Sequence, residues 1–479
     1  MNDDNHQVRR PRPTSSHHHQ RRSRGVSVGS GDILQWLPAE LWLHVLRYLP
    51  AADRLSVRAT CRYFDRLVVH HHGSSLWRDY TACFRFKPGR YNNPQFWASM
   101  SRRGIRSAVV RGGGTREKHW GQLAAALPSL STLIVDQGLG ECAGHLDKFP
   151  ALKDLVLRGS SSSSSIKRTP PDLMTVLRVA DPQQMTLLSL CDVGSPSSHN
   201  SFLAFLSQFP NLTSLLYHSA ADKRSDDDDH HHLQTFRCVV SALPKLKHLS
   251  WSTHRCFKYY GVPGKCVGEA ETDGLTMNQT LTSLELVVYD DSCLSYDNAM
   301  RSLSRLQSLT VVYTVDTDKG CRLNTWLGHL RHLSTLVVDG GPPPREYAWS
   351  IPTTVCSLTL RVHQLTSADL VAVASRVPGL LHLQLDTWPA EGCHTGLILK
   401  LFPALQSIKL SVWQIGEKNF LDFHRSPSMR TIEVMDAADS PRIPELCRQL
   451  QVLTDDKVRV VMSTGGRDPR ACCHQARVK

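Results

Sequence analysis

The chain has 479 residues, 41% of them hydrophobic and 21% charged, a balance that supports a folded core and leaves room for two or three domains. Part of its formal charge of +13 sits in Arg9, Arg10, Arg12, Arg21, Arg22 and Arg24, interleaved with Ser, Pro and His. That composition predicts an unstructured basic arm over residues 1–32: a solvated tail, a nuclear-import signal or a contact for acidic partners. No run reaches the roughly 18 apolar residues of a membrane span and no signal-peptide core is present, so a soluble protein of the cytoplasm or nucleus is expected. The fourteen cysteines contain no CxxC pair, which predicts reduced thiols and no zinc site.

The first predicted element is a helix in LPAELWLHVLRYLP, Leu37 to Pro50. Pro38 suits a first helical position, because its ring presets φ and it has no N–H to leave unpaired; Pro50 ends the run. Glu40, His44 and Arg47 fall at i, i+4 and i+7 as one polar stripe, and apolar side chains take the rest of the circumference. AADRLSVRATCRYFDRLVV then predicts two short helices, with Asp53 as an interruption or cap after Pro50. Leu55, Ala59, Phe64, Leu67 and Val68 supply their apolar stripes, and Trp77 anchors the segment after them. Val45, Val57 and Phe64 are the expected local core. Three helices in about 40 residues cannot cover the first helix on every side, so a partner surface is expected.

Leu37-Pro38, Glu40-Leu41, Val45-Leu46, Tyr48-Leu49-Pro50, Asp53, Leu55, Val57, Cys61-Arg62, Phe64, Leu67 and Leu76-Trp77 resemble the F-box in type and order. Thr60 and Tyr63 depart from its usual V-C-R-x-W/F segment, and His70 to His72 extend the last loop. The resemblance implies an F-box over residues 33–78 whose outer face docks on the Skp-type adaptor and, through it, on a cullin. It implies adaptor contacts at Leu37, Pro38, Leu41, Leu46, Leu49, Pro50 and Leu55.

Residues 79–103 show no repeat and are expected to form a linker. Beyond them LPSLSTLIVD, FPALKDLVLR, FPNLTSLLYH, LPKLKHLSWS, VPGLLHLQLD and FPALQSIKLS share an L-x-x-L-x-L core. Divergent copies start at Ile105, Met185, Leu281, Leu306, Leu333, Val355 and Met429, and a last strand is expected at Lys457 to Met462. From Leu281 onward the steps are 25, 27, 22, 25, 25 and 24 residues, the period of leucine-rich repeats. The predicted fold is an α/β solenoid: an irregular leucine-rich-repeat horseshoe over residues 104–463, preceded by the small three-helix F-box and followed by a tail at 464–479. Ser160 to Ser165 and Ser225 to His232 read as low-complexity loops inserted between repeats.

Side chains alternate across a strand, so the position after the last core residue of each repeat should line one face. It carries Arg111, Asp136, Arg158, Cys191, His218, Ser252, Val287, Val312, Asp339, Arg361, Asp386, Ser411 and Met435. Mixed charge suits a protein surface better than a phosphate backbone, so Asp339, Arg361, Asp386, Arg111, Asp136 and Arg158 are the candidate contacts for a protein substrate, all expected to be exposed.

No nucleotide-binding, zinc-protease or serine-hydrolase motif is present. Gly112 to Gly114 reads as a turn, and the His triplets at His17, His70 and His230 read as polar loops without a closed metal set. Cys472-Cys473-His474 lies in a ragged tail with nothing to activate a thiol. The resemblance therefore implies a non-catalytic substrate-recognition subunit of an SCF-type ubiquitin ligase, without cofactor, metal, membrane or nucleic acid. Two alternatives remain at this level: a repeat scaffold in which the helices only cap the solenoid, and a basic nucleic-acid-binding protein.

Overall fold

A computed structural model describes residues 37–69, 76–86, 93–112, 115–136, 142–159, 177, 179–193, 199–219, 229–252, 280–288, 296–314, 323–363, 365–386, 394–411, 415–435 and 442–463. The basic arm, the serine tract, the His triplets at His17 and His70, and Cys472-Cys473-His474 lie outside these residues. The chain splits into two compact units, Met1–Gly73 and Ser74–Lys479.

The first unit holds three helices: α1 (Ala39–Arg47), α2 (Ala51–Thr60) and α3 (Arg62–Val69). Pro38 sits one residue earlier than expected, as the N-cap of α1, and Pro50 plays the same part for α2; both have the φ near −55° that a proline ring imposes. Asp53 lies inside the first turn of α2 and caps nothing. The end of α1 is closed by Arg54, which donates to the carbonyls of Leu46 (3.0 Å) and Arg47 (2.9 Å). Leu43, Leu46, Phe64, Leu67 and Val68 form the buried core, and Trp42 meets the Phe64 ring edge-on at 5.0 Å.

The second unit is a leucine-rich-repeat solenoid. Among the described residues fifteen strands, β1 to β15, form one open parallel sheet in strict sequence order, each paired only with its neighbours. They are Thr81–Phe84, Ser107–Arg111, Thr132–Asp136, Asp154–Arg158, Leu187–Val193, Ser214–Ser219, His248–Ser252, Ser283–Val288, Ser308–Tyr313, Thr335–Asp339, Ser357–Arg361, His382–Leu385, Ser407–Ser411, Thr431–Met435 and Arg459–Ser463. Crossovers carry helices or 3-10 turns, among them α4 (Pro94–Arg102) and α5 (Glu117–Ala126). The repeat is held by a recurring bond pair: one carbonyl before a strand accepts the two amides that open the next, as Arg106 O does from Ser131 and Thr132, and Ser131 O from Lys153 and Asp154. Leucines of the L-x-x-L-x-L pattern, such as Leu130, Leu133, Leu333 and Leu336, are fully buried.

Two expectations change. The presumed linker at 79–103 contains β1 and α4, so the solenoid starts one repeat earlier. That repeat lacks the leucine signature because Phe84, Phe86 and Trp97 stack in its place, with centroids 5.9 to 6.5 Å apart. The Asp/His tract is not all loop, because a helix spans Asp229–Ala242 and takes in His230 to His232. Leu76 and Trp77, the end of the F-box-like pattern in sequence, belong to the second unit.

Candidate functional site

Unit one presents an apolar strip. Leu41 and Val45 on α1 and Tyr48 at its C-cap fall at i, i+4 and i+7 and are 49%, 46% and 77% exposed; Leu37 and, on α2, Leu55 are exposed as well. His44 shares this face and meets Tyr48 edge-on at 5.3 Å. Of the residues expected on the adaptor side, Leu37, Pro38, Leu41, Pro50 and Leu55 are exposed and Leu49 is half-buried. Leu46 is not available: it is 2% exposed and belongs to the local core. Val45, expected in that core, faces outward instead, while Val57 is half-buried and Phe64 is buried as expected. The pair exchange roles because neighbouring residues differ by about 100° around a helix: Leu46 falls on the side buried with Leu43, and Val45 on the exposed one. Tyr48 was missed, although its i+7 spacing from Leu41 was the available signal.

On the second unit, the row anticipated from sequence is a single line of register. Arg111 pairs with Asp136, Asp136 with Arg158, Arg158 with Cys191 and Cys191 with His218. It resumes as Ser252, Val287, Val312, Asp339 and Arg361, and again as Ser411, Met435 and Ser463. These side chains point away from the leucine core, on the face opposite to positions such as Leu336 and Val338.

The row has three chemically distinct parts. At its N-terminal end Asp136 takes one guanidinium on each oxygen, from Arg111 Nε at 3.2 Å and from an Arg158 terminal nitrogen at 3.1 Å. Arg111 is the more exposed of the two cations. Beside them Val109, Ile134 and Val156 form a buried apolar cluster two residues back on the same strands, with Leu187 against it. The middle holds no carboxylate or guanidinium and is buried: the Cys191 thiol lies 3.5 Å from His218 Nδ1, and His218 Nε2 lies 2.9 Å from the Ser250 hydroxyl. Sequence reasoning had placed Cys191 and His218 in the row without foreseeing this contact, because Ser250 enters from a neighbouring register position.

At the C-terminal end Arg361 donates to Asp339 Oδ2 at 3.1 Å. Asp339 is only 7% exposed, which corrects the expectation of an exposed carboxylate; Val312 and Arg361 flank it in register, and Gly340 turns the chain immediately behind it. Burial pushes the Asp339 pKa up, the Arg361 charge and hydrogen bond pull it back, and the nearby Asp386 charge adds to the rise. Asp386 is half-buried at the end of β12, where its amide donates to Leu360 O at 2.9 Å. Two residues back on the neighbouring strands, Lys409 pairs with Glu433 at 2.7 Å. Burial works against the charged Glu433, but hydrogen bonds from Lys409 and Ser463 and the Lys409 charge together outweigh it, and its pKa is lowered.

Gly112 and Gly340 end two of these strands with φ of +90° and +74°, and their amides reach back to Asp136 O and Arg361 O. Among the described residues no group of His, Cys, Asp and Glu is arranged to hold a metal ion, and no helix is long and apolar enough to cross a membrane.

Residues 34–82 match the F-box-like family. No curated protein matches the chain. Among solved structures a crystal structure of a TLR13–ssRNA13 complex is similar at 14% identity and a TM-score of 0.27, over 72% of this chain and 52% of that one. The chain thus spans about half the length of that structure, and the repeat fold rests on the strand register itself.

Proposed function

We propose that the chain is the substrate-recognition subunit of an SCF-type ubiquitin ligase, in which the three-helix unit binds a Skp-type adaptor and the open face of the sheet binds a protein substrate. The observation that carries this reading is the strip of Leu37, Leu41, Val45, Tyr48 and Leu55, which stays in water although the unit has a complete core of its own. An apolar strip of this kind on so small a unit marks an interface. The match of residues 34–82 to the F-box-like family supports the choice of partner.

The second half of the reading rests on the row from Arg111 to Arg361. Charges of both signs, spaced about 4.8 Å apart by the strands, select a partner by complementarity. The chain itself performs no bond chemistry in this scheme. It raises the effective concentration of a substrate lysine near the ubiquitin-carrying enzyme, in the cytoplasm or the nucleus.

The test is co-purification of a Skp-type adaptor with the wild-type chain and with the double variant Leu37→Ala/Pro38→Ala. The expected outcome is capture by the wild type and loss by the variant, with the repeats unfolding at the same temperature in both. Equal capture by the two proteins removes this face from the interface. No capture by either favours a repeat scaffold outside the ligase system.

A further inference from the structure

Acceptors outnumber donors at the C-terminal end of the row. Asp386 stands beside Arg361 on the adjacent strand, yet among the described residues no cation lies at ion-pair distance from its carboxylate and no donor reaches it. Arg361 is engaged with Asp339, and it is the only donor to that carboxylate among the described residues. Lys409, the next cation on the face, is held by Glu433. One strand further, Ser411 is 2% exposed and its hydroxyl has no hydrogen-bond partner among the described residues. A buried polar group without a partner is uncommon in a native fold and calls for a reason. At the N-terminal end, by contrast, both oxygens of Asp136 are taken by guanidiniums of the chain itself.

We infer that the open face across β10–β13 receives an arginine side chain of the partner protein, with Asp386, the Arg361-paired Asp339 and Ser411 as its acceptors. This deepens the reading of the open face as a substrate surface and rests on it. A guanidinium suits the arrangement because it presents five N–H donors in a planar fork, able to bridge acceptors on strands about 4.8 Å apart. Two carboxylates and one internal cation leave a charge of −1, which an arginine neutralises; a divalent metal ion would meet Arg361 inside the cluster instead. The chain as a whole carries +13, so a basic segment is repelled elsewhere and directed to this place.

The experiment uses a fluorescent, end-blocked hexa-arginine peptide, with hexa-citrulline as its uncharged counterpart, and reads anisotropy at low ionic strength against the full chain. The acidic run Asp226 to Asp229 is replaced by serine in all proteins compared, so that it does not compete. The expected result is binding of hexa-arginine and not of hexa-citrulline, weakened about tenfold by Asp386→Asn and about threefold by Ser411→Ala, the sizes expected for a charge-assisted and a neutral hydrogen bond. Ser411→Ala removes a hydroxyl that bonds nothing among the described residues, so it keeps the test valid should Asp386→Asn unfold. Unchanged affinity in a folded variant, or equal binding of the citrulline peptide, overturns the site. Adaptor co-purification is read on the same proteins: absence of hexa-arginine binding by the chain with Asp386 and Ser411 intact, with the adaptor retained, fails this site alone, and peptide binding without any adaptor fails the ligase reading alone.

Discussion

Leu46 and Leu41 lie five residues apart on α1 and should respond oppositely to the same truncation. Leu46 is 2% exposed, so Leu46→Ala removes side-chain atoms from a closed core and should cost about 2–5 kcal/mol, a large part of what three helices can supply. Leu41 is 49% exposed, so about half of the transfer energy is absent from the start and Leu41→Ala should cost about 1 kcal/mol or less. At an interface the order reverses. Leu41 as a central apolar anchor should contribute about 2 kcal/mol to adaptor binding, roughly a 30-fold change in affinity. Amide exchange over residues 39–69 in the full chain reports the first effect, and calorimetric titration with the adaptor reports the second. Leu46→Ala should accelerate exchange across all three helices. Leu41→Ala should leave exchange near wild type and weaken the adaptor. Wild-type protection in Leu46→Ala, or full adaptor affinity in Leu41→Ala, would refute the assignment of core and outer face.

Asp339→Lys places a second cation against Arg361 at a position 7% exposed, and should lower the thermal midpoint by the equivalent of about 3–5 kcal/mol. The same change at half-buried Asp386 should cost much less. Gly340→Ala should cost at least about 1 kcal/mol, since φ is +74° and the added Cβ would stand 2.9 Å from the Tyr313 carbonyl oxygen; a wild-type midpoint would contradict this. The lowered Glu433 pKa gives a signed pH dependence. Its contribution is present above the ordinary glutamate range and is lost as pH falls through the lowered value. Lys409→Met should therefore be less stable than wild type near neutral pH, by under about 1 kcal/mol for this partly exposed pair, and the gap should close in acid. A gap that persists once Glu433 is protonated would assign the effect to packing.

The row of the open face was legible because a parallel solenoid repeats its register: once L-x-x-L-x-L fixes the phase of one strand, the following residue of every strand falls on the same line. What periodicity could not give was burial within that line. Asp339 and Arg361 occupy equivalent positions, yet one is enclosed and the other half-open, a difference set by what surrounds each position and not by the repeat period. The first repeat was missed because Thr81–Phe84 and Pro94–Arg102 build their core from stacked aromatics, with no leucine spacing to detect. On α1, hydrophobicity alone could not separate Val45 from Leu46. Both are aliphatic, and only the packing of the folded unit decides which of them is covered.

The central claim is that the apolar strip of α1 and α2 joins this chain to a cullin through an adaptor. Light scattering coupled to size-exclusion chromatography of the purified full chain, mixed with a Skp-type adaptor and a cullin N-terminal region, tests it most directly. The account predicts one complex with one copy of each chain, and a chain eluting alone when Leu41 and Tyr48 are both changed to Ala. Separate elution of the wild-type chain from adaptor and cullin, or a complex untouched by that double change, would contradict it.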